Sequence, residues 1–162
     1  MKRKIVSLLL AITLMVSLLP LSGCGDQNNE EAVTRGEWIT MLSETFGLDS
    51  YTEETPYYSD ITNDSNLFSY VQSAAEWDVL SIFTDDTLEP DEKVTLEEVA
   101  STATIAAGCD VSVSQFDDKG NFDADASINY AVQYGILESD NGLSKKATLE
   151  QCEAALSAAQ SA

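Results

Sequence analysis

The side chains able to do chemistry are unevenly supplied. The chain of 162 residues has 28 aspartates and glutamates, three cysteines and no histidine. Without histidine, Ser-His-Asp and Cys-His catalysis and histidine-ligated metals are excluded. Cys109 and Cys152 lack zinc-ligand spacing, and no glycine loop of a phosphate-cradling type occurs. Acid pairs such as Glu53/Glu54 and Asp85/Asp86 are abundant, but so many acids make pairs without purpose. A glycosidase dyad needs a cleft and a raised pKa, to which nothing in the sequence points. Residues 117–125 carry Asn121, Asp123 and Asp125 at the spacing of a calcium loop. Ala126 stands where its turn glycine belongs and Val132 where its closing glutamate belongs, so this reads as a solvated loop without a metal. The reading is a noncatalytic protein without cofactor, with a small hydrolase as the remote alternative.

The address is more specific. Lys2, Arg3 and Lys4 precede an apolar run over residues 5–19 that stops at Pro20. Charge, length and position make residues 1–23 a secretion signal; a spanning helix needs about 20 apolar residues. Leu21-Ser22-Gly23-Cys24 resembles the lipobox of bacterial lipoproteins. That resemblance implies cleavage before Cys24, lipid on its sulfur and amine, and a lipid-anchored protein on the outer face of the cell membrane. Each buried CH₂ of an acyl chain contributes about 0.8 kcal/mol, and two signals suffice for stable anchoring. Residues 24–32 are polar and aperiodic after the cysteine, a tether holding the domain off the membrane.

Three of the eight basic residues and none of the 28 acids precede Cys24. The chain from there carries five basic residues against 28 acids, a formal charge of −23 over 139 residues. That length suits one domain burying about two-thirds of its unfolded surface. The charge excludes nucleic acid as a main ligand, because affinity there comes from Lys and Arg on phosphates. Anionic lipid surfaces are disfavoured likewise, and anionic wall polymers are repelled unless a local site or a cation intervenes. The plain role of the charge is solubility at an exposed surface. Cys109 and Cys152 are expected as buried or half-buried free thiols, with a disulfide as the alternative.

One pattern is written three times: Val33-Thr34-Arg35-Gly36-Glu37-Trp38, Val94-Thr95-Leu96-Glu97-Glu98-Val99 and Ala147-Thr148-Leu149-Glu150-Gln151-Cys152. Each holds Thr-x-x-Glu/Gln, the capping box that satisfies two of the N–H groups a helix start leaves open. In each an apolar residue before the Thr can staple to one four residues after it. Gly47 and Gly108 follow the first two Thr residues by the same interval, marking left-handed helix ends. Trp38 is expected in the core as a staple residue. Between the boxes, apolar spacing predicts helices of a second kind over residues 67–80 and 128–137. Each follows an aromatic–acid opening, Tyr58-Ser59-Asp60-Ile61 and Phe116-Asp117-Asp118. The expectation is an all-α domain over residues 33–162, with a half unit 33–48 and units 57–108 and 116–160. No stretch alternates long enough to insist on a sheet, although short extended pieces in the loops are compatible with it.

These residues resemble the S-layer homology (SLH) domain of bacterial cell envelopes. The opening Tyr58-Ser59-Asp60-Ile61, the loop residues Ser81, Phe83, Asp85, Thr87, Leu88 and Pro90, the box residues Val94, Thr95 and Glu98, and Gly135-Ile136-Leu137 fall in register with its repeat. The resemblance implies helical hairpins around a pseudo-threefold axis and noncovalent attachment to secondary cell-wall polysaccharide, with the box arginine and a glycine-rich loop meeting the anionic sugar. Of the box arginines only Arg35 is kept. Leu96 and Leu149 replace the others, Ile82 and Asp86 stand where loop glycines would be, and Glu89 where an arginine would be. Since a carboxylate ligand needs a cation or aligned N–H donors, Arg35 is the candidate ligand-binding residue. Its alternative is an exposed first-turn residue paired with a nearby acid. Trp77, whose counterpart Tyr134 is also aromatic, is a candidate sugar-stacking surface. The implied function is a membrane-anchored envelope lipoprotein attaching to wall glycan or docking at the surface. The alternative is an adaptor for an envelope protein that has lost glycan binding.

Overall fold

A computed structural model describes residues 31–108 and 123–162. They form five helices: α1 (Arg35–Phe46), α2 (Phe68–Glu76), α3 (Leu96–Ala106), α4 (Ala124–Gln133) and α5 (Leu149–Ala159). The protein is all-α as expected. The described residues contain no strand, and extended structure is confined to three isolated antiparallel bridges, Ala32 with Thr148, Thr34 with Lys93 and Thr95 with Lys146.

All three capping boxes form. The hydroxyls of Thr34, Thr95 and Thr148 accept from the N–H groups of Glu37, Glu98 and Gln151, and those three side chains accept from the Thr N–H groups at 2.8, 2.7 and 3.0 Å. The residues before the caps then join one another. Val33 N–H donates to Ala147 C=O at 3.0 Å, Ala147 N–H to Val94 C=O at 2.9 Å, and Val94 N–H to Val33 C=O at 2.9 Å. These bonds close a ring that ties the three helix entrances together. Buried backbone groups need partners, and here each entrance supplies one to the next. The staple residues Val33, Val94 and Ala147 and their mates Trp38, Val99 and Cys152 are all buried beneath it.

The capped helices α1, α3 and α5 pack on one another, α2 lies against α1, and α4 against α3. Helix α3 is central: every residue from Glu98 to Thr104 is buried. Its small side chains let neighbours approach closely. Its buried hydroxyls on Thr102 and Thr104 are satisfied by carbonyls one turn back, at 2.7 Å each. Trp38 lies fully in the core, its indole N–H on Thr102 Oγ1 at 2.8 Å. Cys152 is buried and free, and burial followed by the charge of Glu153 pushes its thiol pKa up to about 12. Cys109 lies outside the described residues.

The helices of the second kind differ from expectation. The predicted spans 67–80 and 128–137 become Phe68–Glu76 and Ala124–Gln133. Both stop because a left-handed residue follows, Asp78 at φ 59° and Gly135 at φ 71°. The apolar tails Val79-Leu80 and Ile136-Leu137 remain buried although they lie past the helices. Helix α4 starts early because the Asp123 carboxylate caps it, accepting from Ala126 N–H at 3.0 Å. Gly47 and Gly108 take the expected left-handed turns at φ 68° and 60°.

Candidate functional site

Arg35 is the first residue of α1 and its side chain crosses to the second repeat. The guanidinium Nη2 donates to Glu98 Oε1 at 2.7 Å and Nε to the same oxygen at 3.2 Å. Nη1 donates to Leu88 C=O at 3.0 Å and meets Glu89 Oε2 at 3.2 Å. The planar group lies over the Phe83 ring, 5.1 Å from its centroid, where an aromatic face attracts a cation. Burial works against the charge of Arg35, but the bonds and charge of Glu98, then those of Glu89, outweigh it and the pKa is raised. The two carboxylates are unlike. The side chain of Glu98 is 11% exposed and that of Glu89 is 60% exposed. Glu98 has two tasks, since Oε2 closes the capping box on Thr95 while Oε1 holds Arg35.

The loop before α3 is set by the aromatic–acid opening. Asp60 accepts from Leu88 N–H at 2.9 Å and Glu89 N–H at 2.7 Å. Ser59 donates from N–H and hydroxyl to Asp86 C=O at 2.8 and 3.1 Å. The Tyr58 hydroxyl lies 3.4 Å from the Leu80 and Phe83 carbonyls, and burial, then the charge of Asp60, pushes its pKa up to about 12. This grip aims Leu88 C=O at Arg35 and holds Glu89 in a left-handed backbone at φ 54°, an unusual state for a residue with a side chain.

The first N–H groups of α1 are already taken. Arg35 N–H donates to Glu92 C=O and Gly36 N–H to Pro90 C=O, both at 2.8 Å. In α3, Leu96 and Glu97 N–H donate to Lys145 and Leu143 C=O at 3.0 Å. The anion-binding capacity of a helix start is therefore spent internally at both, and a charged ligand must be met by side chains.

The second copy has the same register with other chemistry. Leu96 stands where Arg35 does and Gln151 where Glu98 does, and both line a cavity of about 580 Å³ together with Lys145 and residues 135–139. The third pair, Leu149 and Glu37, lines an open cleft of about 690 Å³. The first residue of each box thus faces the cap acid or amide of the next, round the ring.

Of the sequence-derived candidates, Arg35 is joined by Phe83, Glu89 and Glu98, the last two unforeseen as its partners. Trp77 is 67% exposed at the end of α2 and lines neither cavity, and its counterpart Tyr134 stacks on Tyr130 with centroids 5.5 Å apart. Of the acidic stretch 117–125, residues 117–122 lie outside the described residues, and Asp123 serves as a helix cap. Cys24 lies outside the described residues too.

Residues 57–100 match the family model of the S-layer homology domain, running from the opening through α2 and the loop into α3. The chain carries an S-layer homology domain. The matched span supplies Phe83, Leu88, Glu89 and Glu98 around Arg35, while Arg35 itself lies before it. SLH domains are noncatalytic cell-wall-binding modules, which makes this a cell-surface or cell-wall-associated module. No curated protein matches the chain. No helix among the described residues is long and apolar enough to cross a membrane.

Proposed function

We propose that the protein is a lipoprotein held on the outer face of the cell membrane by acyl chains on Cys24, and that its SLH domain engages anionic wall polysaccharide at Arg35. Residues 24–32 are the tether between the two attachments. The observation that carries this reading is the asymmetry at Arg35. Glu98 holds one edge of the guanidinium from within the core, while the other is held by an exposed carboxylate on a surface loop. A uronic or pyruvyl carboxylate can replace Glu89 there without disturbing Glu98. Trp77 supplies an exposed ring for stacking on sugar.

The test is sedimentation of the detergent-purified protein with cell walls, with and without their secondary polymer, at low and moderate salt. Polymer-dependent binding is expected, lost in Arg35→Ala and strengthened in Glu89→Ala. The anchor is checked by the mass of the N-terminal fragment and by detergent partitioning; an unmodified fragment in the aqueous phase overturns it. A second reading is favoured by the two carboxylates already on Arg35, the leucines at the other two box positions and the charge of −23. It is an adaptor that keeps the SLH fold for a protein partner. Absence of wall binding in every condition would select it.

A further inference from the structure

Of the chain's asparagines, only Asn141 is followed by glycine. The pair lies in the turn between α4 and α5, where Gly142 takes a left-handed φ of 73°. A Cβ on Gly142 would meet Lys145 Cε at 2.9 Å and Cδ at 3.0 Å. Backbone and packing therefore both demand glycine at this point. Glycine is also the residue that leaves an asparagine most open to attack by the next amide nitrogen. Hydrogen bonds that would restrain such a pair in a folded protein are missing here. Asn141 is exposed, and its own N–H donates to Ser139 Oγ at 3.4 Å. Neither its carboxamide nor the Gly142 N–H has a hydrogen-bond partner among the described residues. The same turn is a fastening. Lys145 N–H closes it on Gly142 C=O at 2.9 Å, and the carbonyls of Lys145 and Leu143 accept from Leu96 and Glu97 N–H at 3.0 Å.

We propose that Asn141 is a site of spontaneous deamidation whose isoaspartyl product unfastens α3 from the third repeat. The Gly142 nitrogen gives up its proton and attacks Asn141 Cγ. The N–Cγ bond forms, the Cγ–Nδ2 bond breaks, and Nδ2 leaves with a proton as ammonia. Water then opens the five-membered imide, and no other reactant is needed. Attack at Cγ leaves an aspartate with the original main chain. Attack at the main-chain carbonyl carbon of residue 141 leaves an isoaspartate, whose main chain is longer by one methylene. Either product adds a carboxylate to the cavity that Asn141 lines with Lys145, Glu138 and Glu150. Only the isoaspartate displaces the turn and, with it, the two carbonyls that hold the first N–H groups of α3. This site does not depend on the reading at Arg35.

The experiment ages the detergent-purified protein in H₂¹⁸O at mildly alkaline pH, beside a sample in urea, and follows the tryptic peptide 120–145 by mass spectrometry. A gain of about 3 Da is expected, NH₂ being exchanged for ¹⁸OH. Fragmentation should place it at Asn141 and not at Asn121 or Asn129, in the folded protein as well as in urea. Asn141→Gln should remove it. The isoaspartyl protein, separated by chromatography, should exchange the Leu96 and Glu97 amide hydrogens about ten-fold faster, the weight of one hydrogen bond. Freshly prepared Asn141→Asp has the same charge on the original main chain and should exchange them as the unmodified protein does. A label that forms only in urea, that lies at another asparagine, or that persists in Asn141→Gln would overturn the site. Unchanged exchange in the isoaspartyl protein, or an equal change in Asn141→Asp, would overturn the unfastening.

Discussion

The Arg35 and Leu96 positions are the same place in two repeats, and they solve it differently. At the first, an arginine reaches the cap glutamate of the next box and is backed by an aromatic ring and a loop carbonyl. At the second, a leucine and a glutamine share a cavity, and neither side chain carries a charge for an ion pair. Both boxes cap their helices, because glutamate and glutamine can each accept the Thr N–H, here at 2.7 and 3.0 Å. Helix capping and ion pairing are therefore separable tasks of one residue, and the chain has kept the first where it has dropped the second.

The comparison can be broken in order of effect. Asp60 organises the loop that the Arg35 site uses and the Leu96 site does not. Asp60→Ala removes a charged acceptor from two N–H groups and should cost about 2–3 kcal/mol in urea unfolding. It should also release the Phe83 and Glu89 side of the site. Next, Arg35→Ala leaves Glu98 Oε1 facing a part-buried void, with an expected cost of about 2 kcal/mol. Leu96→Ala should cost about 1 kcal/mol or less, since Leu96 is only partly buried. Equal costs would mean that the ion pair has no special weight.

A sharper test copies one site into the other. Arg35→Leu with Glu98→Gln recreates the Leu96/Gln151 chemistry. The double variant should be more stable than the sum of the singles by about 1 kcal/mol, because each single change leaves one partner unmatched. Additive costs would break the equivalence of the two positions.

The smallest effect is acidic. The Thr34 backbone and side-chain bonds hold the Glu37 carboxyl below the ordinary range. The folded pKa is the lower one, so this stability is present above the unfolded value and is lost as pH falls through the folded value. Glu37→Gln should flatten the stability of the first box between pH 5 and pH 3 by less than about 1 kcal/mol, since the group is exposed. The third box, already Gln151, contributes no such slope.

The boxes, staples and glycine stops were legible in the sequence because each is a local device, complete within a few residues. Trp38 was legible as a core residue from its staple position, whereas Trp77 had no such signal and its exposure is read from the structure. The partners of Arg35 were hidden for a physical reason. Glu98 lies 63 residues away and is already accounted for as a cap, so its free oxygen has no sequence signal. The swap from Arg35 and Glu98 to Leu96 and Gln151 was the hint available, and it means something only once the entrances are known to meet in a ring. The early stop of α2 was hidden because Asp78 does not announce a left-handed turn; that of α4 was obscured although Gly135 does, because the buried Ile136-Leu137 pair continues the apolar spacing past it.

That ring has a mechanical consequence. Any pull arriving through the segment before Glu31 reaches the domain at Val33, whose amide is bonded to Ala147 and whose carbonyl is bonded to Val94. The load is divided at once between the second and third repeats instead of peeling α1 away alone. A chain stretched between two anchorages would then yield late and all together, like a knot rather than a seam.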